Sequence, residues 1–402
     1  MTRALAHLLL DTLRLTPEGD RDDLAARWSR PEIAARTEAI AAWIAWEQGE
    51  QWLLRRLATA RVLAEAPVDL VEGLRAGARR DAMAAMTADA DAADAVRVIT
   101  AQGVPCMLLK GPARRASASS LTLADARLTR DVDVLVPARD GERLWHQFRS
   151  RGYAPFEYDP ANLPPGESEV QGPSPYHLRT LVREGAAAVE LHLSTERGLP
   201  PAVAWNRLWS SARTVSWQGL EVRVPSFTEL LWQAITHADV TWTAGWSLRY
   251  WLDAASVLAA QPVEWETILA RLQSMSPWER ALAFRWLAVA IRLAGTPLPP
   301  AVARVAPLDF LGLVTWRLAM LTRFRRSASW RQKLLDEATR AEAGLGLAPL
   351  VGGRAWPVHA RRRAATLAAR AAYLAWRLPQ RDRSAAGSSG AGRPRVHPAS
   401  EP

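Results

Sequence analysis

Lysine is almost missing from this 402-residue chain: of its 51 lysines and arginines, only Lys110 and Lys333 are lysine. Wherever a generic positive charge would serve, the sequence uses arginine, so a lysine kept in place asks for a reason. Cysteine is as scarce. Cys106 stands alone, which excludes an internal disulfide framework and fits a reducing compartment, the cytoplasm. Its place in the apolar run 106–109 makes it a core residue rather than a nucleophile. Long apolar runs are missing too, and no segment reaches the ~18 residues that would cross a bilayer. The N-terminal LAHLLL is interrupted by Asp11 with no cleavage site after it, so no signal peptide is read. There is no internal repeat. Phenylalanine (6) and tyrosine (5) are few beside 19 tryptophans. The tryptophans fall mostly in helical patterns, such as Trp43-x-x-Trp46 and Trp242-x-x-x-Trp246, and read as packing between helices, with base stacking open to a few.

What is present fits a globular protein of two or three domains, with 49% hydrophobic and 23% charged residues. The net charge of +10 is unevenly spread. Residues 352–402 hold ten arginines against Asp382 and Glu401 and carry +8, which leaves about +2 for everything before them. A near-neutral body argues against a general nucleic-acid binder, which needs a basic face on the folded domain.

The chain divides by pattern. Residues 1–94 are rich in Ala, Leu and Arg with apolar spacings of 3–4 and read as a helical subdomain. A helix over 81–102 stops at Gly103, with Pro105 beyond. Strands and short helices fill an α/β core over 95–225, closed by a hairpin strand at Val222-x-Val224 after Gln218-Gly219. A helical domain follows over 226–350, opened by the capping box Ser226-x-x-Glu229. Residues 346–355 form a Gly/Pro-rich hinge, 351–379 a basic amphipathic helix centred on 357–378, and 380–402 a disordered tail. The basic helix could pack on the body, lie on an anionic membrane surface, or contact nucleic acid or an acidic partner. His359 and Arg361–Arg363 cluster at its start, where the helix dipole disfavours cations, and this favours an external anionic partner.

The chemistry is concentrated between residues 106 and 136. Asp131 and Asp133 alternate with Val132, Val134 and Val136, a period of two that makes a strand and puts both carboxylates on one face. Like charges so close repel by a few kcal/mol at an effective dielectric of about 20. The pair must titrate, be solvated at an edge, or hold a cation, and a divalent metal is the simplest resolution because hard cations take carboxylate oxygens. Upstream, Lys110-Gly111-Pro112 follows the apolar run. Gly111 permits close backbone approach and unusual dihedrals, and Pro112 suits the first turn of a helix. The segment reads as strand, tight turn and a helix starting at Pro112. A compact ammonium there suits a phosphate or carboxylate. Downstream, the runs 176–183 and 186–193 flank Glu184-Gly185 as a hairpin. In the second run Glu190 and His192 share a face, and Glu190 reaches the Asp pair if this strand lies beside 131–136. His192 is then a partner of the site, a substrate contact, or a hydrogen-bonded structural histidine.

Three blocks in this order resemble the uncharacterised nucleotidyltransferases of the DNA polymerase beta-like superfamily. They are Leu108-Leu109-Lys110-Gly111, Arg127-x-x-x-Asp131-x-Asp133-x-Leu135-Val136, and Val189-Glu190-Leu191-His192. Residues 248–258 (LRYWLDAASVL) resemble the helix that follows in that family, with Asp253 at its acidic position. The resemblance covers roughly 95–260. It implies an α+β fold, a nucleotidyltransferase-type mixed sheet flanked by N- and C-terminal helical domains. It also implies Mg²⁺ (or Mn²⁺) chemistry on an NTP such as ATP. Asp131, Asp133 and Glu190 would be the metal carboxylates, with Glu190 also a candidate general base. Lys110 would neutralise charge on the triphosphate, which the Gly111 backbone approaches, and Arg127 or Arg130 would assist. Members usually carry Gly-Ser where this chain has Lys110-Gly111, so the phosphate grip must differ, and Leu193 replaces a frequent aromatic, so the resemblance does not fix the substrate. The expected reaction is transfer of an NMP from an NTP to an acceptor hydroxyl with release of pyrophosphate. The acceptor would be a small molecule, peptide or protein. Two other readings stand: a non-catalytic nucleotide-binding or scaffold member of the same fold, and a metal-dependent nucleotide-sugar transferase.

Overall fold

The computed structural model describes residues 3–15, 21–119, 129, 131–156, 170, 176–196, 199–237, 248–275, 277–297 and 299–303. Arg127, Arg130, Lys333, Trp242 and Trp246, the hinge, the basic helix and the tail lie outside them.

The N-terminal region is helical as its spacing predicts: α1 (Arg3–Leu13), α2 (Arg21–Trp28), α3 (Pro31–Ala34), α4 (Thr37–Trp46), α5 (Glu50–Thr59) and a 33-residue α6 (Val68–Thr100). The helix expected at 81–102 is thus the second half of a longer one. It stops just before Gly103, whose φ of 69° turns the chain.

The sheet elements follow: β1 (Met107–Leu108), α7 (Lys110–Ala116), β2 (Asp131–Leu135), α8 (Ala138–Arg149), β3 (Ala154–Pro155), β4 (Leu181–Val182), β5 (Ala188–His192), α9 (Pro201–Ser210), β6 (Arg213–Trp217) and β7 (Leu220–Val224). They form one mixed sheet in the order β3-β4-β5-β2-β1-β7-β6. Both expected hairpins are present, β4–β5 around Gly185 and β6–β7 around Gly219, with φ of 72° and 71° at the two glycines. The strand expected at Val222–Val224 does more than close a hairpin, since it pairs parallel with β1.

Helices resume with α10 (Phe227–His237), α11 (Leu248–Ala260), α12 (Trp265–Ser274), α13 (Pro277–Ala294) and α14 (Pro300–Ala303). Half of the predicted capping box forms: Ser226 Oγ accepts the Glu229 N–H at 3.2 Å. The Glu229 carboxylate turns away to a bidentate pair with Arg271 instead. A fully ionised partner outbids the backbone amide of the cap.

The sheet's two faces differ, and the difference positions the site. Leu108, Val132, Val134, Val189, Leu191, Val222 and Val224 belong to one continuous apolar core with α6, α8, α10, α11 and α13. The same core reaches the N-terminal helices, which are tied to the C-terminal ones by Leu15 N–H on Leu293 O (2.7 Å) and Leu248 N–H on the buried Glu47 carboxylate (2.8 Å). On the opposite face Met107, Leu109 and Leu135 gather under Leu208, Trp205 and Trp209 of α9. Beyond that small patch, this second face carries the charged groups.

Candidate active site

β2 and β5 pair in parallel, with Asp131 opposite Ala188, Asp133 opposite Glu190 and Leu135 opposite His192. Opposed residues share a face, so Glu190, on the strand beside 131–136, lies next to Asp133 as its place in the sequence predicts. One oxygen or nitrogen from each of Asp133, Glu190 and His192 lies within 4.8 Å of the others, a compact set of possible metal ligands among the described residues. Asp131 sits on the same face one pleat away, half-buried and outside that compact set.

Lys110 reaches into the cluster from the start of α7. Its Nζ is 2.5 Å from Asp133 Oδ1 and 3.6 Å from Glu190 Oε2. The helix begins two residues earlier than predicted, and the unusual backbone falls on Lys110, with φ of 45°, rather than on Gly111. A side chain in the left-handed region costs about 1–3 kcal/mol and persists where its surroundings over-determine it. Here Leu109 is extended and donates its N–H to Asp133 O (2.9 Å), while Lys110 N–H is taken by Gln233 Oε1 of α10 (3.3 Å). α7 is anchored further by Arg114, whose Nη2 donates to Leu230 O at 2.7 Å and whose Nε lies 3.6 Å from Asp253. Asp253, the acidic residue singled out on α11, therefore holds the helix that carries Lys110 and does not join the cluster.

His192 is 1% exposed, with Nε2 2.8 Å from Asp133 Oδ1 and 3.5 Å from Glu190 Oε2. Its Nδ1 lies 3.3 Å from Ser194 O. A carbonyl and an ionised carboxylate only accept, so the placement of both ring nitrogens favours the imidazolium. Burial and the Lys110 charge push its pKa down, but the hydrogen bonds to Asp133 and Glu190 outweigh them and hold it above the usual value. Burial likewise works against the charges of Lys110, Asp133 and Glu190. The field of the carboxylates nevertheless holds Lys110 above its ordinary value, with Asp131 contributing. Lys110 and His192 keep Asp133 well below the carboxylate range, and the His192 hydrogen bond lowers Glu190 as well. Two cations, His192 buried and Lys110 half-buried, thus face two anions, Asp133 buried and Glu190 half-buried.

Thr180, His177 and Tyr176 also surround the site, and sequence reasoning assigned them no role. Thr180 Oγ1 donates to Glu190 Oε1 at 3.1 Å. His177 Nδ1 donates to Leu178 O at 2.7 Å, which leaves Nε2 as the acceptor nitrogen, 4.0 Å from Glu190 Oε2. Burial and the neighbouring His192 charge hold the His177 pKa down. Tyr176 stacks on His192 with an interplanar angle of 10°. The cause of this gathering is a register slip. Leu181 pairs with Val189, yet His177 pairs with His192, so four steps on one strand match three on the other. The extra residue is Arg179, whose N–H turns out to Val170 O at 2.8 Å. Strict alternation would send 177 and 180 to opposite faces, whereas the bulge brings both to the site.

The carboxylate set fits a divalent cation by donor chemistry: two hard oxygens side by side with an imidazole, around a point already held by cationic side chains. No curated protein matches the chain. Among solved structures, the solution structure of the antibiotic-resistance factor ANT(2'')-Ia is similar over 47% of this chain and 96% of its own, at 16% identity and a TM-score of 0.30. The family model for uncharacterised nucleotidyltransferases matches residues 34–292, from the end of α3 into α13 and across the whole sheet and site, and the chain belongs to that family.

Proposed function

We propose that this nucleotidyltransferase moves a nucleoside monophosphate from an NTP to an acceptor hydroxyl, with Mg²⁺ or Mn²⁺ held by the carboxylates of β2 and β5. The observation that carries the reading is the register pair Asp133–Glu190 with Lys110 poised against both. Asp133 and Glu190 would hold the metal and Asp131 would extend the anionic wall. A bound divalent ion would polarise the α-phosphate and offset its charge as the bridging bond breaks. The acceptor oxygen attacks the α-phosphorus, the α–β bridging P–O bond breaks, and pyrophosphate leaves. A carboxylate oxygen of Glu190 takes the hydroxyl proton, and the Thr180 hydrogen bond fixes its orientation for that transfer. Lys110 has a second task once its ammonium is exchanged from Asp133 to the triphosphate, where a flexible point charge suits the β and γ oxygens. The Gly111 backbone would approach the same phosphates, and Arg127 would serve as a further phosphate contact.

The self-neutralised state of the cluster favours a second reading, a nucleotide-binding member that does not turn over. One experiment addresses both. Melting of the protein is followed with each of the four NTPs, with and without MgCl₂ or MnCl₂, and pyrophosphate release is measured on the same samples. The proposal expects metal-dependent stabilisation by NTP that Asp131→Asn and Asp133→Asn each weaken and the double substitution removes. Metal-dependent NTP binding that survives the double substitution refutes the site. Binding without pyrophosphate release across a panel of hydroxyl acceptors supports the second reading.

A further inference from the structure

We infer that the metal centre is a mixed carboxylate–imidazole site in which His192 Nε2 is a ligand beside Asp133 and Glu190, so that it selects first-row transition ions over Mg²⁺. The inference rests on the metal-dependent reading above and adds the identity of the third ligand.

Three observations carry it. The first is spacing. His192 Nε2 lies 2.8 Å from the Asp133 oxygen and 3.5 Å from the Glu190 oxygen. Donors about 2.1 Å from one cation stand about 3.0 Å apart when cis in an octahedron and about 3.4 Å apart in a tetrahedron. The two distances straddle those values and all three donor atoms lie within 4.8 Å of one another, so the strands already hold the donors near coordinating range, and Lys110 Nζ, 2.5 Å from the same Asp133 oxygen, is the group a cation would displace. Asp131, one pleat further along β2, is not in the compact donor set.

The second is orientation. A ligating histidine ordinarily gives its other N–H to a carbonyl or carboxylate, which fixes the ring and the nitrogen that faces the metal. His192 has that arrangement: Nδ1 donates to Ser194 O at 3.3 Å, and Tyr176 lies parallel to the ring with centroids 6.3 Å apart. Ser194 is buried and its own hydroxyl donates to Leu199 O at 2.9 Å, which secures the turn presenting that carbonyl. Nε2 is the nitrogen that faces the carboxylates, and it would release its proton, now directed at Asp133, to ligate a cation.

The third is donor type. Mg²⁺ is satisfied by carboxylates and water and rarely dehydrates for an imidazole, whereas later first-row ions gain affinity from nitrogen. A buried imidazole supplied by the register of β5, at the place a third carboxylate could have held, biases the site away from Mg²⁺.

The test uses the full chain and Mn²⁺ as a paramagnetic probe. Pulsed EPR of the protein with substoichiometric Mn²⁺ should show modulation from one directly bound imidazole nitrogen. Calorimetry should show Mn²⁺ binding at least about tenfold tighter than Mg²⁺. His192→Asn should lose the nitrogen signal and narrow that preference, with circular dichroism confirming that the variant is folded. The wild-type spectrum decides the matter even if the variant does not fold. Bound Mn²⁺ with no nitrogen modulation overturns the inference and leaves the carboxylate site standing. No Mn²⁺ binding, with or without NTP, overturns the inference and the metal-dependent reading together.

Discussion

Replacing Lys110 with methionine removes the ammonium from between Asp133 and Glu190 but keeps an unbranched stem. The backbone penalty at φ of 45° is the same for either side chain, so the substitution isolates the charge. At 2.5 and 3.6 Å the gross attractions are about 7 and about 5 kcal/mol at an effective dielectric of about 20. Most of that offsets the cost of burying the ions, and the loss measured when one partner of a buried pair is deleted is about 3–5 kcal/mol. At about 1.2 °C per kcal/mol for a chain of this size, the midpoint should fall by about 4–6 °C without metal. The variant should then gain more from a divalent ion than the wild type does, because the metal replaces the missing cation. An ion at a hundred times its dissociation constant returns about 2.7 kcal/mol, more than half of the loss. NTP binding should weaken even at saturating metal, since the triphosphate loses its contact. Scanning calorimetry with and without MnCl₂, together with NTP titrations, checks all three. A midpoint within about 2 °C of wild type, or equal metal stabilisation of both proteins, refutes the picture of Lys110 as the resident counter-ion.

Two further outcomes follow from other parts of the structure. Thr180→Val deletes a charge-assisted hydrogen bond at nearly constant volume and should cost about 1.5–3 kcal/mol in urea unfolding; a neutral result would mean that Glu190 is held without it. Cys106 is buried in the core, where its thiol pKa is pushed up to about 12. A disulfide reagent at pH 8 should therefore leave the folded protein unlabelled and react once per chain after denaturation, and rapid native labelling would show that β1 opens readily.

Much of this was legible in the sequence because it depends on period and punctuation. The alternation of Asp131 and Asp133 with valines marks both the strand and its charged face, and Gly185 and Gly219 mark the hairpins. Lys110 stood out through composition, as a lysine in an arginine-rich chain. What the sequence hid depends on register. His192 is legible as sharing a face with Glu190, but its bond to Asp133 needs the parallel pairing of β2 and β5. Thr180 and His177 were invisible because the bulge at Arg179 breaks the alternation used to read faces. Gln233, which takes the Lys110 N–H, is 123 positions away in the chain, and no local signal links the two.

The long helix α6 has a consequence for how the chain comes apart. At about 1.5 Å per residue its 33 residues run for about 50 Å. Leu70, Val71 and Leu74 near its start are buried in the same core as the N-terminal helices. Near its end, Asp89 grips Arg115 of α7 through two hydrogen bonds, and Asp91 accepts the Ala187 N–H at the entry to β5. A cut near residue 94 would divide this helix and strip Val96, Val98 and Ile99 of the turns that precede them. The N-terminal helices and the charged sheet should accordingly unfold as one cooperative unit. Loosening α6 would reach Lys110 through Arg115 and Glu190 through the mouth of β5, so damage far from the charged cluster would be felt within it.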